Sequence, residues 1–197
     1  KNFFGQKTGN FGTLKNSLVV DNDSLDRIKK DFKDVFDESI KKEPMVGADM
    51  DVHFRTDRPI VPTRVTFAIR TPVHLKKSAD KCMENFIENG VFERVLASEK
   101  PTKWLLSGFW VRKNPYSDEA RLVIACGPVN EVAIRPIMPF APSSEILSQI
   151  PANAKFFAKL DIKDAYYSMK LTKKASKIFT FLTDQGKFRA LRGVMGC

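Results

Sequence analysis

Residues that ligate zinc are scarce in this sequence. It has only two histidines, His53 and His74, and three cysteines, Cys82, Cys126 and Cys197. The cysteines are far apart, odd in number and without the paired spacing of a metal site. We therefore expect no zinc site and predict free thiols in a reducing compartment.

Long apolar runs are also missing. No uninterrupted apolar stretch approaches the ~20 residues that span a bilayer, so we expect no membrane partner. The first residues show no signal-peptide pattern of basic start, apolar middle and cleavage site. The chain begins with Lys rather than Met, from which we expect a fragment or a processed product.

Acidic residues are fewer than basic ones, and the difference is concentrated late in the chain. Lys and Arg number 33 against 23 Asp and Glu, a net charge of +10. Residues 151–197 hold ten basic and three acidic residues, a net charge of +7. A basic surface attracts polyanions, of which nucleic acid is the commonest. On charge alone, an inert basic surface is an equally good interpretation.

Apolar periodicity predicts helices early in the chain. Helical spacing predicts one helix over about residues 24–40 and a second from Leu75 to Ile87, ended by Asn89-Gly90. The intervening stretch, "MDVHFRTDRPIVPTRVTFAIRTP", alternates apolar and polar residues but is interrupted by prolines. It predicts extended chain with edge strands at most.

The later segments predict strands. Residues 109–111 and 121–125 predict a hairpin, and "APSSEILSQI" predicts a short helix capped by Ser143 or Ser144. Strands are then predicted over 156–162, 167–171, 178–182 and 188–191, the last two joined by the turn "TDQG". The fold class is α+β, with helices packed on a mainly antiparallel sheet.

A carboxylate, Asp161, lies between Leu160 and Ile162 at the end of a strand that is predicted to be buried. One interpretation is structural: Asp161 caps the following turn or pairs with Lys159 or Lys163. The other is a Mg²⁺ ligand, because Mg²⁺ prefers oxygen ligands and is usually held by one or two carboxylates plus substrate phosphates.

Several segments, in order, resemble the reverse transcriptase region of gypsy-type long-terminal-repeat retrotransposon polyproteins. "LDIKDAYYSMKL" resembles the first catalytic motif, a strand, an Asp, a short turn and an aromatic, and "FTFLTDQGKFRALRGVMG" resembles the next conserved stretch. "FWVRKNP" and "EARLVIACGPVNEVAIRPIMPFAPSSEILSQIP" resemble the fingers hairpin and the segment after it. "FKDVFDES", "DVHFRTDRPIVPTR" and "CMENFIENGVFERV" follow the order seen ahead of the polymerase. The resemblance covers about residues 24–197.

This resemblance implies a right-hand polymerase, represented by its fingers and part of its palm. Residues 1–23 would be a lead-in or linker, 24–74 an N-terminal helix and extended arm, and 75–197 the fingers and first half of the palm. The implied activity is RNA-directed DNA polymerisation, with two Mg²⁺ ions, or Mn²⁺, per complete site. The implied partners are an RNA template, a DNA primer and deoxynucleoside triphosphates, and the implied location is a cytoplasmic retroelement particle or the nucleus.

The resemblance also implies roles for single residues. Asp161 matches the first metal-binding Asp, and the backbone carbonyl of Ile162 would add a ligand. Tyr166 matches the aromatic under the incoming sugar, which favours deoxynucleotides. Lys113 and Arg121 match the two fingers cations on the triphosphate, where phosphoryl transfer needs positive charge. Structural interpretations stay open for them: Lys113 in solvent, Arg121 paired with Glu119, and Tyr166 in the core.

The match is incomplete in the last residues. Arg192 and Gly193 stand in the expected nucleotide-contacting loop, where the family usually has Gln or an aromatic before the glycine. The chain also ends at Cys197, ahead of the Tyr-x-Asp-Asp loop that supplies the other two carboxylates. We therefore expect these 197 residues to be inactive alone. A non-enzymatic RNA-binding protein derived from a retroelement is the alternative.

Overall fold

The structure is a computed structural model that describes residues 22–37, 39–57, 59–135, 139–155 and 161–196. The chain divides into two compact units, the first ending at Ser39 and the second beginning at Ile40. Of the described helices, none has both the length and the apolar character that a membrane crossing requires.

The first unit contains helix α1, Asn22–Asp31, which is shorter than the predicted helix over 24–40. After Asp31 the chain makes separate turns, in which the Phe32 amide donates to the Ile28 carbonyl at 3.0 Å. The Asp37 carboxylate then accepts bonds from the amide and the hydroxyl of Ser39, each at 2.9 Å. Such local side-chain bonds compete with helical hydrogen bonding, which explains the early end of the helix.

The second unit begins its regular structure with a 3₁₀ turn, Val73–Leu75, that leads into helix α2, Lys76–Glu88. The helical spacing of the apolar residues predicted this helix, and the prediction is confirmed. Its buried stripe faces the sheet and comprises Ala79, Met83 and Phe86, with Leu75 just before it. Gly90, with φ of +64°, ends the helix in the left-handed conformation that glycine adopts without a steric cost.

Five strands form one sheet against this helix. They are β1 (Phe92–Arg94), β2 (Leu106–Arg112), β3 (Ala120–Ile124), β4 (Thr180–Thr183) and β5 (Gly186–Ala190). The spatial order is β1-β5-β4-β2-β3, and all neighbours are antiparallel except β2 and β4. The predicted fold class and both predicted hairpins, β2–β3 and β4–β5, are confirmed.

Aromatic rings fill the centre of the core. Phe92 meets Phe86 and Phe181 edge to face, with both centroid distances at 5.1 Å, and Phe86 meets Tyr167 at 5.0 Å. Phe181 stacks on Phe188 at 5.8 Å. Each such pair adds about 0.5–1.5 kcal/mol beyond its area burial. The core therefore joins α2, the sheet and the segment that carries Tyr167.

Four short helices complete the described chain: α3 (Gly127–Val132), α4 (Ser143–Ser148), α5 (Ala165–Ser168) and α6 (Lys173–Ile178). Helix α4 was predicted, but its N-cap is Pro142 and no side chain caps it. The strand predicted over 167–171 is wrong, because α5 occupies its first half and only isolated bridges follow. The strand predicted from 178 begins instead at Thr180, after α6. The strand predicted over 156–162 falls mostly outside the described residues.

An extended arm, residues 41–55, crosses this part of the fold. The Met45 amide donates to the Ser168 carbonyl at 2.8 Å, and the Met50 amide donates to the Lys170 carbonyl at 2.7 Å. The Thr172 hydroxyl completes the attachment with a 2.8 Å bond to the Asp51 carboxylate. The stretch predicted to be extended, residues 50–72, makes only isolated bridges among its described residues, at Met50, Phe54 and Arg64. The arm therefore fixes the segment that follows α5.

The cysteines differ in state. Cys82 is a free thiol on α2, as predicted. Cys126 is disulfide-bonded, so the prediction of free thiols is wrong for this residue.

Candidate active site

The β2–β3 hairpin carries the two predicted phosphate-binding cations beside its turn. Lys113 follows β2, and its Nζ lies 3.0 Å from the Glu119 carboxylate, with both side chains more than 60% exposed. Arg112 pairs in the same way with Asp118 at 3.4 Å. Exposed pairs of this kind contribute about 0–1 kcal/mol, so a phosphate can replace Glu119 at little cost.

Arg121 lies on β3, where Leu122 and Ile124 alternate with it and point into the core. Its guanidinium contacts the sulfur of Met195, near the end of the described chain. The predicted alternative partner, Glu119, is taken by Lys113. Arg121 thus links the hairpin to the loop after β5.

The segment with the predicted metal ligand begins in exposed loop. Asp161 and Ile162 are both exposed, and neither belongs to a helix or strand. A turn follows, in which Asp164 has φ of +53°, a left-handed conformation that Asp tolerates better than most residues. The Tyr167 amide donates to the Asp164 carbonyl at 2.8 Å, so Asp164 is a turn residue at the start of α5.

The two tyrosines of α5 face different surroundings. Tyr167 is 8% exposed and packs in the aromatic core, whereas Tyr166 is 38% exposed. Tyr166 lines a cleft of about 780 Å³ together with Asp51, His53 and Asn130. The predicted sugar-contacting residue is therefore at a surface a ligand can reach, and the core interpretation applies to its neighbour instead.

Cys82 on α2 and Tyr167 on α5 both have raised pKa values. The pKa of the Cys82 thiol is raised to about 11, mainly by burial and to a smaller extent by the Asp164 carboxylate, whereas Lys113 lowers it. Burial, then Cys82 and Asp164, raises the pKa of Tyr167 to about 12, and Arg121 opposes this. Burial is therefore the largest cause of both raised pKa values, and the hairpin cations and the turn carboxylate have smaller and opposite effects on them.

Gly193 has a packing role beside this turn. A Cβ at this position would lie 2.6 Å from the backbone oxygen of Tyr166. The Gly193 amide also donates to the Met169 carbonyl at 2.8 Å. Only a glycine permits this approach without displacing Tyr166.

Arg192 does not reach the cleft. It is 3% exposed, and its guanidinium donates to the backbone carbonyls of Lys41 (2.7 Å), Tyr167 (3.0 Å), Asn89 (2.8 Å) and Lys42. Burial lowers the pKa of this guanidinium. The predicted nucleotide contact is therefore corrected to a structural role in which Arg192 joins the arm, the end of α2 and α5.

Sequence reasoning missed the residues that do lie near Tyr166. Gly196 lines the same cleft, and its carbonyl accepts a 2.8 Å bond from the Asn130 side chain on α3. Gly196 has φ of +92°, so glycine is required there as well. The signal in the sequence was the second glycine of "RGVMG", three residues beyond the one that was chosen.

Carboxylates for the predicted metal site are few among the described residues. Among them, no group of three or more His, Cys, Asp or Glu side chains is placed to hold a metal ion. Asp161 supplies a single exposed carboxylate. A pair of metal ions about 3.5–4 Å apart needs more carboxylates than this, so these residues alone do not fit a complete two-metal centre.

Comparison with solved structures finds retroviral enzymes. The native prototype foamy virus protease-reverse transcriptase matches with a TM-score of 0.68 and 15% identity, covering 88% of this chain and 22% of that one. The foamy viral enzyme in complex with double-stranded DNA matches at a TM-score of 0.65 and 14% identity, covering 89% and 34%. The complex with an RNA/DNA hybrid matches at 0.63 and 13%, covering 88% and 22%.

The chain shares the fold of these reverse transcriptases. It spans between about a fifth and a third of their length. No protein-family model and no curated protein sequence matches it. The reverse-transcriptase fold thus rests on three-dimensional likeness at low sequence identity.

Proposed function

We propose that this chain is the fingers and the first part of the palm of an RNA-directed DNA polymerase from a gypsy-type retrotransposon polyprotein. The observation that carries the proposal is the β2–β3 hairpin, in which Lys113 follows β2 and Arg121 on β3 contacts Met195, the residue before Gly196, which lines the cleft of Tyr166. The order of segments in the sequence and the shared fold support it. The foamy viral structures with DNA and with an RNA/DNA hybrid support nucleic-acid partners.

In this proposal each residue has a separate task. Lys113 and Arg121 neutralise the triphosphate of the incoming deoxynucleotide, Lys as a point charge and Arg through paired donors. Tyr166 packs under the sugar and excludes a 2′-hydroxyl, and Gly193 keeps Tyr166 in position. Arg192 is left out of the substrate contacts, because its donors are bonded to backbone carbonyls.

Asp161 and the Ile162 carbonyl would hold part of a Mg²⁺ site. When bound, the metal would stabilise charge on the phosphate oxygens. The 197 residues contain no Tyr-x-Asp-Asp sequence, so the remaining carboxylates would come from elsewhere in a longer protein. We accordingly expect the 197-residue chain to be inactive as a polymerase by itself.

The test is Asp161→Asn in a longer form of the protein that carries a Tyr-x-Asp-Asp segment. Primer extension on an RNA template should fall by orders of magnitude, because each 1.36 kcal/mol of lost charge stabilisation costs about tenfold in rate. The melting temperature should stay nearly unchanged, since Asp161 is exposed and outside the core. Near-normal extension by the Asn variant would remove Asp161 from the site.

A non-enzymatic RNA-binding protein is the second candidate. The observation that favours it is the single carboxylate offered by the described residues, together with the basic C-terminal quarter. The same experiment separates the two. Under this candidate even the longer wild-type protein fails to extend a primer while it still binds RNA.

A further inference from the structure

A second cleft lies on a part of the fold that the proposed active site does not use. It has a volume of about 660 Å³ and lies between the arm, helix α6 and strand β5. It shares no lining residue with the cleft that contains Tyr166. It therefore needs an explanation of its own.

The lining of this cleft is mostly basic. Six basic side chains line it against two acidic ones, Glu43 and Glu93. Glu93 is neutralised by Arg189 at 2.7 Å, and Arg189 is also bonded to Glu99 at 2.6 Å. Lys170 pairs with Asp49 at 3.3 Å, so the charge that remains for a ligand comes mainly from three exposed lysines, Lys42, Lys173 and Lys177.

Helix α6 places two of these lysines side by side. Lys173 and Lys177 are four residues apart, so they lie on one face of the helix, and both line the cleft. Lys174 lies on another face and pairs with Asp51 at 3.9 Å. The Ser176 hydroxyl, between them, donates to the Ala190 carbonyl at 2.6 Å and fixes the helix to β5. The positive face is therefore held in a set orientation.

We propose that this cleft binds the phosphate backbone of single-stranded nucleic acid. Lysines recognise phosphates as point charges, without base selectivity. The volume is within the ~300–1,000 Å³ of small-ligand clefts, which suits the phosphates of one strand. Among the described lining residues none is aromatic, so base stacking contributes nothing and sequence preference is weak.

The site is independent of the proposed polymerase chemistry, because phosphates are recognised here by charge alone. It also gives part of the positive charge of residues 151–197 a location, since Lys173 and Lys177 belong to that stretch. Loss of binding here and loss of polymerisation at Asp161 are therefore separate outcomes.

The experiment compares two double variants of the 197-residue chain. Lys173→Gln with Lys177→Gln removes two charges from the cleft. Lys77→Gln with Lys81→Gln removes two exposed charges at the same spacing on α2, outside the cleft lining. Binding of a fluorescein-labelled oligouridylate of about 20 nucleotides is followed by anisotropy at several salt concentrations.

The cleft variant should show a salt slope smaller by about 1.4, because each single-strand phosphate contact contributes about 0.7. Over the decade from 0.1 to 1 M this corresponds to binding about 25-fold weaker at 0.1 M. The α2 variant should lose much less affinity for the oligouridylate. Equal loss in both variants, or no loss in the cleft variant, overturns the proposal.

A second measurement on the wild-type chain covers the case in which the cleft variant fails to fold. Lysine acetylation is mapped by mass spectrometry with and without the oligouridylate. Protection of Lys173 and Lys177, with Lys77 and Lys81 unchanged, supports the cleft. Uniform protection, or none, excludes it.

Discussion

Replacing Arg192 by Gln tests whether this residue is a structural connector or a nucleotide ligand. The substitution removes a guanidinium that donates to four backbone carbonyls. Lys41 and Lys42 are exposed, so their carbonyls can turn to water. Tyr167 is buried and Asn89 is partly buried, so these two carbonyls lose a donor that water does not easily replace.

The expected cost follows from those two groups. A buried polar group without its partner costs about 1–3 kcal/mol, so Arg192→Gln should destabilise the fold by about 2–6 kcal/mol. That is a large part of the ~5–15 kcal/mol by which a domain is stable. Arg192→Lys should lose less unfolding free energy than Arg192→Gln but still be less stable than the wild type, because a single ammonium cannot reach all four carbonyls.

Urea unfolding followed by tryptophan fluorescence measures this cost, since Trp104 and Trp110 are both buried. Arg70→Gln is the matched control, because Arg70 is exposed; it should change the unfolding free energy by less than about 0.5 kcal/mol. If Arg192→Gln were as stable as the control but bound triphosphate poorly, the nucleotide role would be restored and the structural role would be wrong.

Two further predictions concern the turn and the core. Gly193→Ala should destabilise the fold by about 1–3 kcal/mol, because its Cβ would lie 2.6 Å from the Tyr166 backbone oxygen. The control Gly47→Ala, whose Cβ would have nothing within 4 Å, should be neutral or slightly stabilising. Thermal unfolding compares the two variants, and equal melting temperatures would contradict the contact at Gly193. Burial raises the pKa of Cys82 from 9.0 to about 11 and that of Tyr167 from 10.0 to about 12, and both groups are neutral when protonated, so the unfolded chain releases these protons first. The stabilisation from these two groups should therefore be fully present below pH 9 and be lost between pH 9 and 12, by at most about 1.4 kcal/mol per pH unit for each group. Tyr167→Phe should remove the part of this pH dependence that comes from Tyr167. A wild-type unfolding free energy that does not change over this pH range would refute the burial argument.

Strong periodicity was the part of the sequence that predicted structure well. Helix α2 and the two hairpins were predicted because their apolar residues repeat over enough positions to distinguish period 3.6 from period 2. The segment over 167–171 was predicted as a strand because it carries only a short apolar run, which does not separate a strand from a buried helical turn. In the structure α5 occupies its first half, and α6 lies in a stretch for which no element was predicted, up to the start of the strand predicted from 178.

The exposure of the predicted site residues could be inferred from local pattern for three of them but not for Arg192. Lys113, Arg121 and Tyr166 are accessible, as a ligand-binding role requires, and this follows from their places at a hairpin end and after a turn. Arg192 has the residue type that a phosphate contact uses. Its burial depends on how the arm crosses α5, which no local pattern encodes.

The sequence by itself determined the α+β class, the helix and hairpins with strong periodicity, and the concentration of positive charge in residues 151–197. The fold class, these elements and this charge distribution depend on local spacing and composition, which can be read directly from the sequence. Only the tertiary structure decided that Arg121 contacts Met195, that Arg192 joins three segments, and that Lys173 and Lys177 line a cleft. These depend on contacts between residues far apart in the chain, and such contacts exist only once the core has packed.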